Sequence, residues 1–193
     1  MVLEDVTVMR AIPNLTIFAP ADGPQYKAAI LAAMDIETPV YIRVHRNKAP
    51  RLYGVDCRLI PGKADILKKG SDLTLISTSS MVVQTLLAAE ILKKRGIDAE
   101  VINMYCLKPV DDEIILNSAE KTKKVITIEE HTVIGGLGGV VSEVLAGTCS
   151  AKLAMIGIED QFAVVGDYKQ LIDYYGLTPE KLVPRIEELG KRL

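Results

Sequence analysis

Tryptophan is absent, and phenylalanine and histidine each occur only twice. With so few large rings, a core must be built from Val, Ile, Leu, Ala and Met, and an apolar content of 49% supplies enough of them. Two histidines, His45 and His131, are too few for a dedicated zinc centre. The three cysteines, Cys57, Cys106 and Cys149, are widely spaced and form no C-x-x-C pair. They fit reduced thiols better than a disulfide framework, with Cys106 as a small core residue. There is no excess of one charge: 23 basic residues stand against 25 acidic ones. That leaves no electrostatic case for nucleic acid or an anionic membrane. No apolar run is long enough to span a bilayer. The opening MVLEDVTVMRAIPN carries early acidic residues and no cleavable apolar core. The expected setting is therefore cytoplasmic. A chain of 193 residues has room for one domain, or one and a fraction.

What is present is organised around VITIEEHTVIGGLGGVVSEVLA, residues 125–146. Val125, Ile126 and Ile128 form a β-branched run suited to a strand covered on both faces. Glu129, Glu130 and His131 place polar groups at its end. Gly135, Gly136, Gly138 and Gly139 allow a sharp turn and a close approach. Val141, Val144 and Leu145 then recur at helical spacing. The glycines form neither G-x-G-x-x-G nor a P-loop, so a tight turn with close helix–strand packing is the favoured reading. A ligand or subunit contact is the alternative.

The remaining chain alternates between the two periods. Residues 3–11 read as a helix, 15–19 as a strand, and Pro24 opens a helix to about Met34. Pro39 precedes a strand over 40–44. Two strands are too few for a core of their own, so residues 1–50 must lean on residues from 64 onward or on a part outside this chain. Arg43, His45, Arg46 and Lys48 crowd the end of the second strand, where an arginine could grip a phosphate or merely enter a solvated linker. Residues 51–63 read as a linker with at most one edge strand. A short strand over 64–67 and the turn KKGSD follow. Strands over 73–77, 99–104 and 153–158 then alternate with helices from Ser79 or Ser80 to Arg95, from Asp111 to Glu120, from Asp167 to Tyr175 and from Thr178 to Leu189. Leu107-Lys108-Pro109 breaks the chain between two of them. The alternation predicts an α/β fold, a mainly parallel sheet with helices on both faces.

No catalytic set stands out. Ser77, Ser79 and Ser80 lack a G-x-S-x-G elbow and read as a helix start. Glu129, Glu130 and His131 could serve acid–base chemistry, but a polar cluster at a subunit contact is favoured. Asp111 and Asp112 read as helix-start charges.

Several stretches resemble one family. LEDVTVMRAIPNLTIFAPAD and PVYIRVHRNKAP are similar to the later part of the pyrimidine-binding domain of transketolases. GSDLTLISTSSMVVQTLLAAEILKKRGIDAEVINMYCLKPVD, VITIEEHTVIGGLGGVVSEVLA and IGIEDQFAVVGDYKQLIDYYGLTPEKLV resemble the transketolase C-terminal domain. Deoxyxylulose-phosphate synthase and the β subunits of 2-oxoacid dehydrogenases share this module; MRAIPN with FAPAD favours transketolase over the dehydrogenases. The resemblance implies residues 1–50 as the end of a pyrimidine-binding domain, 51–63 as a linker and 64–193 as the C-terminal domain. It implies thiamine diphosphate-dependent transfer of a two-carbon ketol unit between sugar phosphates, as in the pentose phosphate pathway.

The Gly-Asp-Gly metal motif of the family's pyrophosphate-binding domain is not in this sequence, where Gly166-Asp167 is followed by Tyr168. The glutamate that protonates the cofactor ring belongs, in the family, to a part preceding LEDV, and so does a histidine. The resemblance therefore implies that thiamine diphosphate and Mg²⁺ belong to the complete enzyme, with no tight binding and no turnover by this chain alone. The implied partners are an N-terminal transketolase section and a second copy of this chain. Arg46 is the implied ligand of the substrate phosphate. Arg10, by analogy with the deoxyxylulose-phosphate synthases, is a second. Glu129, Glu130, His131, Gly135, Gly136 and Gly138 are the candidates for a subunit interface. The competing readings are a fragment of a 2-oxoacid dehydrogenase β subunit and a non-catalytic docking module.

Overall fold

A computed structural model describes residues 2–45 and 49–193. In chain order the elements are α1 (Asp5–Arg10), β1 (Thr16–Phe18), α2 (Gly23–Met34), β2 (Val40–Ile42), β3 (Asp65–Lys68), β4 (Leu73–Ser77), α3 (Met81–Lys94), β5 (Ala99–Asn103), β6 (Cys106–Lys108), α4 (Asp112–Thr122), β7 (Lys124–Thr132), α5 (Leu137–Leu145), β8 (Lys152–Ile158), α6 (Tyr168–Tyr174) and α7 (Pro179–Arg192). None of these helices is long and apolar enough to cross a membrane.

The main sheet has five strands in the order β3-β5-β4-β7-β8. β3 runs antiparallel to β5, and the other pairings are parallel. Side chains alternate between its faces with the period of two that a strand imposes. Leu75, Val101 and Ile126 pack on the α3 and α7 side, with Met81, Leu182 and Ile186. Ile76, Ile102 and Val125 pack on the α4 and α5 side, with Ile115, Leu137 and Val141. From β4 the chain goes to β5 on one side, then returns to β7 on the other. The crevice beyond the carboxyl ends of β4 and β7 is thus the topological switch point, where ligands of open α/β sheets bind.

Here residues of the leading segment, Ala19 among them, lie against the loop that follows β4. The N–H of Ser79 donates to Ala19 O at 3.2 Å, and the Thr78 hydroxyl lies 3.4 Å from the same oxygen. β1 lies parallel to β2 and antiparallel to β6, giving a second sheet of order β2-β1-β6. Leu15, Ile17 and Ala19 enter the same apolar cluster as Ile76 and Ile102. The leading segment leans on later residues, as its two strands required.

Some expectations are corrected. Residues 106–108 do not simply break the chain; they form β6, because β1 supplies a partner for three residues that could not hold a strand alone. No strand forms over 51–63; instead the N–H groups of Leu52 and Tyr53 donate to Asp22 Oδ2 at 2.6 and 2.8 Å. Ser80 precedes α3 but makes no capping bond, since its hydroxyl donates to Glu130. Asp111 does cap α4, accepting the N–H of Ile114 at 3.2 Å.

Candidate functional site

β7 does not end at Ile128. It continues through Glu129, Glu130 and His131, which are 1%, 5% and 2% exposed. Their charges therefore need partners within the chain, and each finds different ones. Alternation sends Glu129 and His131 to one face and Glu130 to the other.

Glu129 meets the start of α5. Its Oε2 accepts the N–H of Leu137 at 2.7 Å, and its Oε1 accepts the N–H of Gly138 at 2.9 Å. These are two of the donors that a helix N-terminus leaves unpaired. Burial nevertheless pushes this carboxyl up to about 7, against the pull of both N–H groups. The glycines make the approach possible: a Cβ on Gly136 would stand 2.1 Å from Glu129 Oε2 and 2.6 Å from His131 Nδ1. Gly135 has φ +71, and a Cβ there would meet Thr7. A Cβ on Gly138 would stand 2.5 Å from Met155 Sδ. All three close contacts lie inside this chain.

His131 joins β7 to the first helix. Its Nε2 lies 3.2 Å from the Val6 N–H and its Nδ1 2.7 Å from Thr132 O. A backbone N–H can only donate and a carbonyl can only accept, so Nδ1 carries the proton and the ring is neutral. Burial lowers its pKa to match. Three further bonds sew the same seam: Thr132 N–H to Leu3 O at 2.9 Å, Thr7 Oγ1 to Ile134 O at 2.5 Å, and Arg10 Nη1 to Gly135 O at 2.7 Å.

On the opposite face Glu130 accepts from the Ser80 hydroxyl. Its other oxygen lies 3.8 Å from Arg43 Nη1, and its backbone O accepts from Arg43 Nη2 at 3.2 Å. Arg43 Nε donates to Asp5 Oδ2 at 2.9 Å, and the Tyr41 hydroxyl donates to the same oxygen at 2.8 Å. The Arg43 guanidinium and these two bonds hold the Asp5 carboxyl below the usual carboxylate range despite its burial. Burial, reinforced by Asp5, pushes the Tyr41 phenol up to about 12. These groups line a cleft of 730 Å³ bounded by Tyr41, Arg43, His45, Glu130 and Tyr168. A second cleft of 920 Å³ lies beyond Tyr168, against Ser80, Val83 and Pro179.

Of the implied phosphate ligands, Arg46 lies outside the described residues. Arg10 is engaged at both ends of its guanidinium, with Gly135 O and with Glu143 Oε2 at 2.5 Å. Sequence reasoning singled out Arg43 only as one of a basic group. Asp5, its partner 38 positions earlier, gave no signal at all. Among the described residues no group of three His, Cys, Asp or Glu side chains is placed to hold a metal ion.

Comparison with known proteins identifies two family domains along the chain. Residues 62–182 match the model of the transketolase C-terminal domain, and residues 1–51 match that of the transketolase pyrimidine-binding domain. A 6-deoxy-6-sulfo-D-fructose transketolase subunit, SqwH, from Clostridium sp. (strain MSTE9) is 41% identical over 192 residues, covering 100% of this chain and 60% of the relative. A putative transketolase C-terminal section from Methanocaldococcus jannaschii is 42% identical over 192 residues, covering 98% of this chain and 60% of the relative. A solved structure described as a split gene transketolase, inactive beta4 tetramer, matches with a TM-score of 0.91 at 38% identity, over 99% of this chain and 62% of that one. The chain thus spans 60% of the length of these two curated relatives.

Proposed function

This chain belongs to the transketolase family, and from that premise we propose that it works as the C-terminal section of a two-part enzyme. In the assembled enzyme it contributes to transfer of a two-carbon ketol unit between sugar phosphates. Thiamine diphosphate and Mg²⁺ are held largely by residues of the other section, which in this family carries the Gly-Asp-Gly metal motif. Arg46 grips the substrate phosphate through its planar fork. Arg10, whose guanidinium is already engaged twice, is the lesser candidate. Sugars of the pentose phosphate pathway are the first substrates to test, in the cytoplasm. At least two copies of this chain take part, with the surface beside the Gly135–Gly136 turn at their contact.

One observation carries the reading. Both family matches fall in the right order on one chain, and identity to a transketolase subunit extends over its full length.

The test is reconstitution. The purified chain is mixed with a transketolase N-terminal section carrying Gly-Asp-Gly, thiamine diphosphate and Mg²⁺. Ketol transfer from a ketose phosphate to an aldose phosphate is expected only when both polypeptides are present. Arg46→Ala should raise the sugar-phosphate KM by about tenfold or more, the scale of a lost charge-assisted contact. Turnover by the chain alone would overturn the reading, and so would decarboxylation of 2-oxoacids in place of ketol transfer.

A further inference from the structure

We propose that the cleft beside Glu130 receives the outer face of α2 from a second copy of this chain. This contact is separate from the one placed beside the Gly135–Gly136 turn, and it does not depend on the catalytic reading.

α2 is apolar nearly all round, and Lys27 is its one charged residue. One face packs on the small sheet, where Ala28, Ala29 and Ala32 join Phe18 and Ile42. Opposite them Lys27, Ile30, Leu31 and Met34 stand in solvent, Met34 at 77% exposure. Their spacing of i, i+3, i+4 and i+7 makes one continuous stripe. A helix that is apolar on both faces is normally covered on both, and a stripe of this spacing is what a helix lays into a groove.

The cleft has the complementary make-up. Its rim carries Val2, Val44 and Val165, each more than half exposed and each from a different segment of the chain. Val165 is fully exposed, and Phe162 of the same loop is 97% exposed. Exposed apolar groups gathered in this way mark an interaction site. Beneath the rim, the described lining residues set Asp5, Glu130 and Asp167 against one guanidinium, that of Arg43. Asp5 Oδ1 is buried with no hydrogen-bond partner among the described residues. His131 Nε2, 3.9 Å away, accepts the Val6 N–H and has no proton to offer it. Glu130 Oε1 stands 3.8 Å from Arg43 Nη1, beyond hydrogen-bond reach.

Acceptors and negative charge inside an apolar ring fit a cation flanked by apolar side chains. Lys27 among Ile30, Leu31 and Met34 is that arrangement. A volume of 730 Å³ takes side chains rather than a whole helix. The stripe therefore lies across the rim, and Lys27 reaches toward the floor on its four-carbon stem. Guest and host lie on one chain, so each copy carries both.

The test is complementation between two variants, read as mass in solution by sedimentation over a range of concentrations. Every chain carries Ile134→Glu, which removes the contact at the turn. On that background the parent should still self-associate. Met34→Glu on the helix and Val165→Glu on the rim should each raise the dissociation constant by about tenfold or more. Mixing the two should restore association, because one copy keeps an intact cleft and the other an intact helix. A general loss of folding cannot do that. Lys27→Glu should weaken the contact as much, and Lys27→Arg should retain it. Ile30→Glu stands in for Met34→Glu if the latter lowers the unfolding midpoint. A parent that stays monomeric at every concentration would overturn the proposal. So would variants that associate like the parent, or a mixture that stays monomeric. If Ile134→Glu alone leaves the wild-type mass unchanged, the contact at the turn fails instead, and the mixture still decides this one.

Discussion

The imidazole of His131 accepts the backbone N–H of Val6 at 3.2 Å, across 125 positions of sequence. The bond needs a neutral ring with its proton on Nδ1. His131→Ala leaves a buried donor without a partner, which costs about 1–3 kcal/mol. The expected outcome is a lower urea midpoint at unchanged m-value, with faster amide exchange in α1. An unaltered midpoint would show that water replaces the ring.

Glu129 gives the stability a pH signature. Its folded pKa of about 7 lies above its ordinary 4.5. As pH rises between these values the unfolded chain releases its proton first, so stability falls across this window and levels off above it. His131 acts oppositely: its folded pKa lies below 6.5, so its contribution grows as pH climbs to that value. Subtracting the Glu129→Gln curve from that of the wild type isolates the first effect. The difference should fall between about pH 4.5 and 7 in urea unfolding. A flat difference would exclude a raised Glu129 pKa.

Two glycines of the turn should respond unequally to a methyl group. At Gly136 the new carbon meets a fixed carboxylate at 2.1 Å; at Gly138 it meets the end of the flexible Met155 side chain at 2.5 Å. Gly136→Ala should cost about 2–3 kcal/mol and Gly138→Ala about 1 kcal/mol. Equal losses in chemical unfolding would contradict the packing described.

Bulk at Gly136 therefore disturbs this chain's own fold, and a loss of oligomer there would not by itself reveal an interface. Ile134 offers a cleaner probe. It is 55% exposed beside the same turn. Ile134→Glu should leave the unfolding midpoint within about 0.5 kcal/mol while reducing the oligomeric mass in solution. An unchanged mass would remove this surface from the proposed contact.

The linker depends on one buried acid. Asp22 accepts the N–H groups of Gln25, Leu52 and Tyr53 at 3.0, 2.6 and 2.8 Å. Asp22→Ala strands all three donors and should cost about 2–4 kcal/mol. Faster exchange at Leu52 and Tyr53 should accompany the loss.

The strands over 73–77 and 99–103 were legible because a short apolar run bounded by turn signals is a local pattern. So was the α4 start at Asp111, because a cap reaches only three residues ahead. The family itself was legible from five stretches of sequence. β6 was not: three residues before a proline make a strand only when β1 arrives from nearly ninety positions away. Nor was the depth of Glu129, Glu130 and His131, which read as polar strand ends and stand almost fully buried.

By itself, then, the sequence determined most of the elements, their order and the layered α/β class, since these follow from periodicity and capping within a few residues. Only the tertiary structure decided that Asp5, Arg43 and Glu130 meet, and that α1 docks on His131. A buried charge is tolerated only where a partner waits, and those partners come from distant parts of the chain.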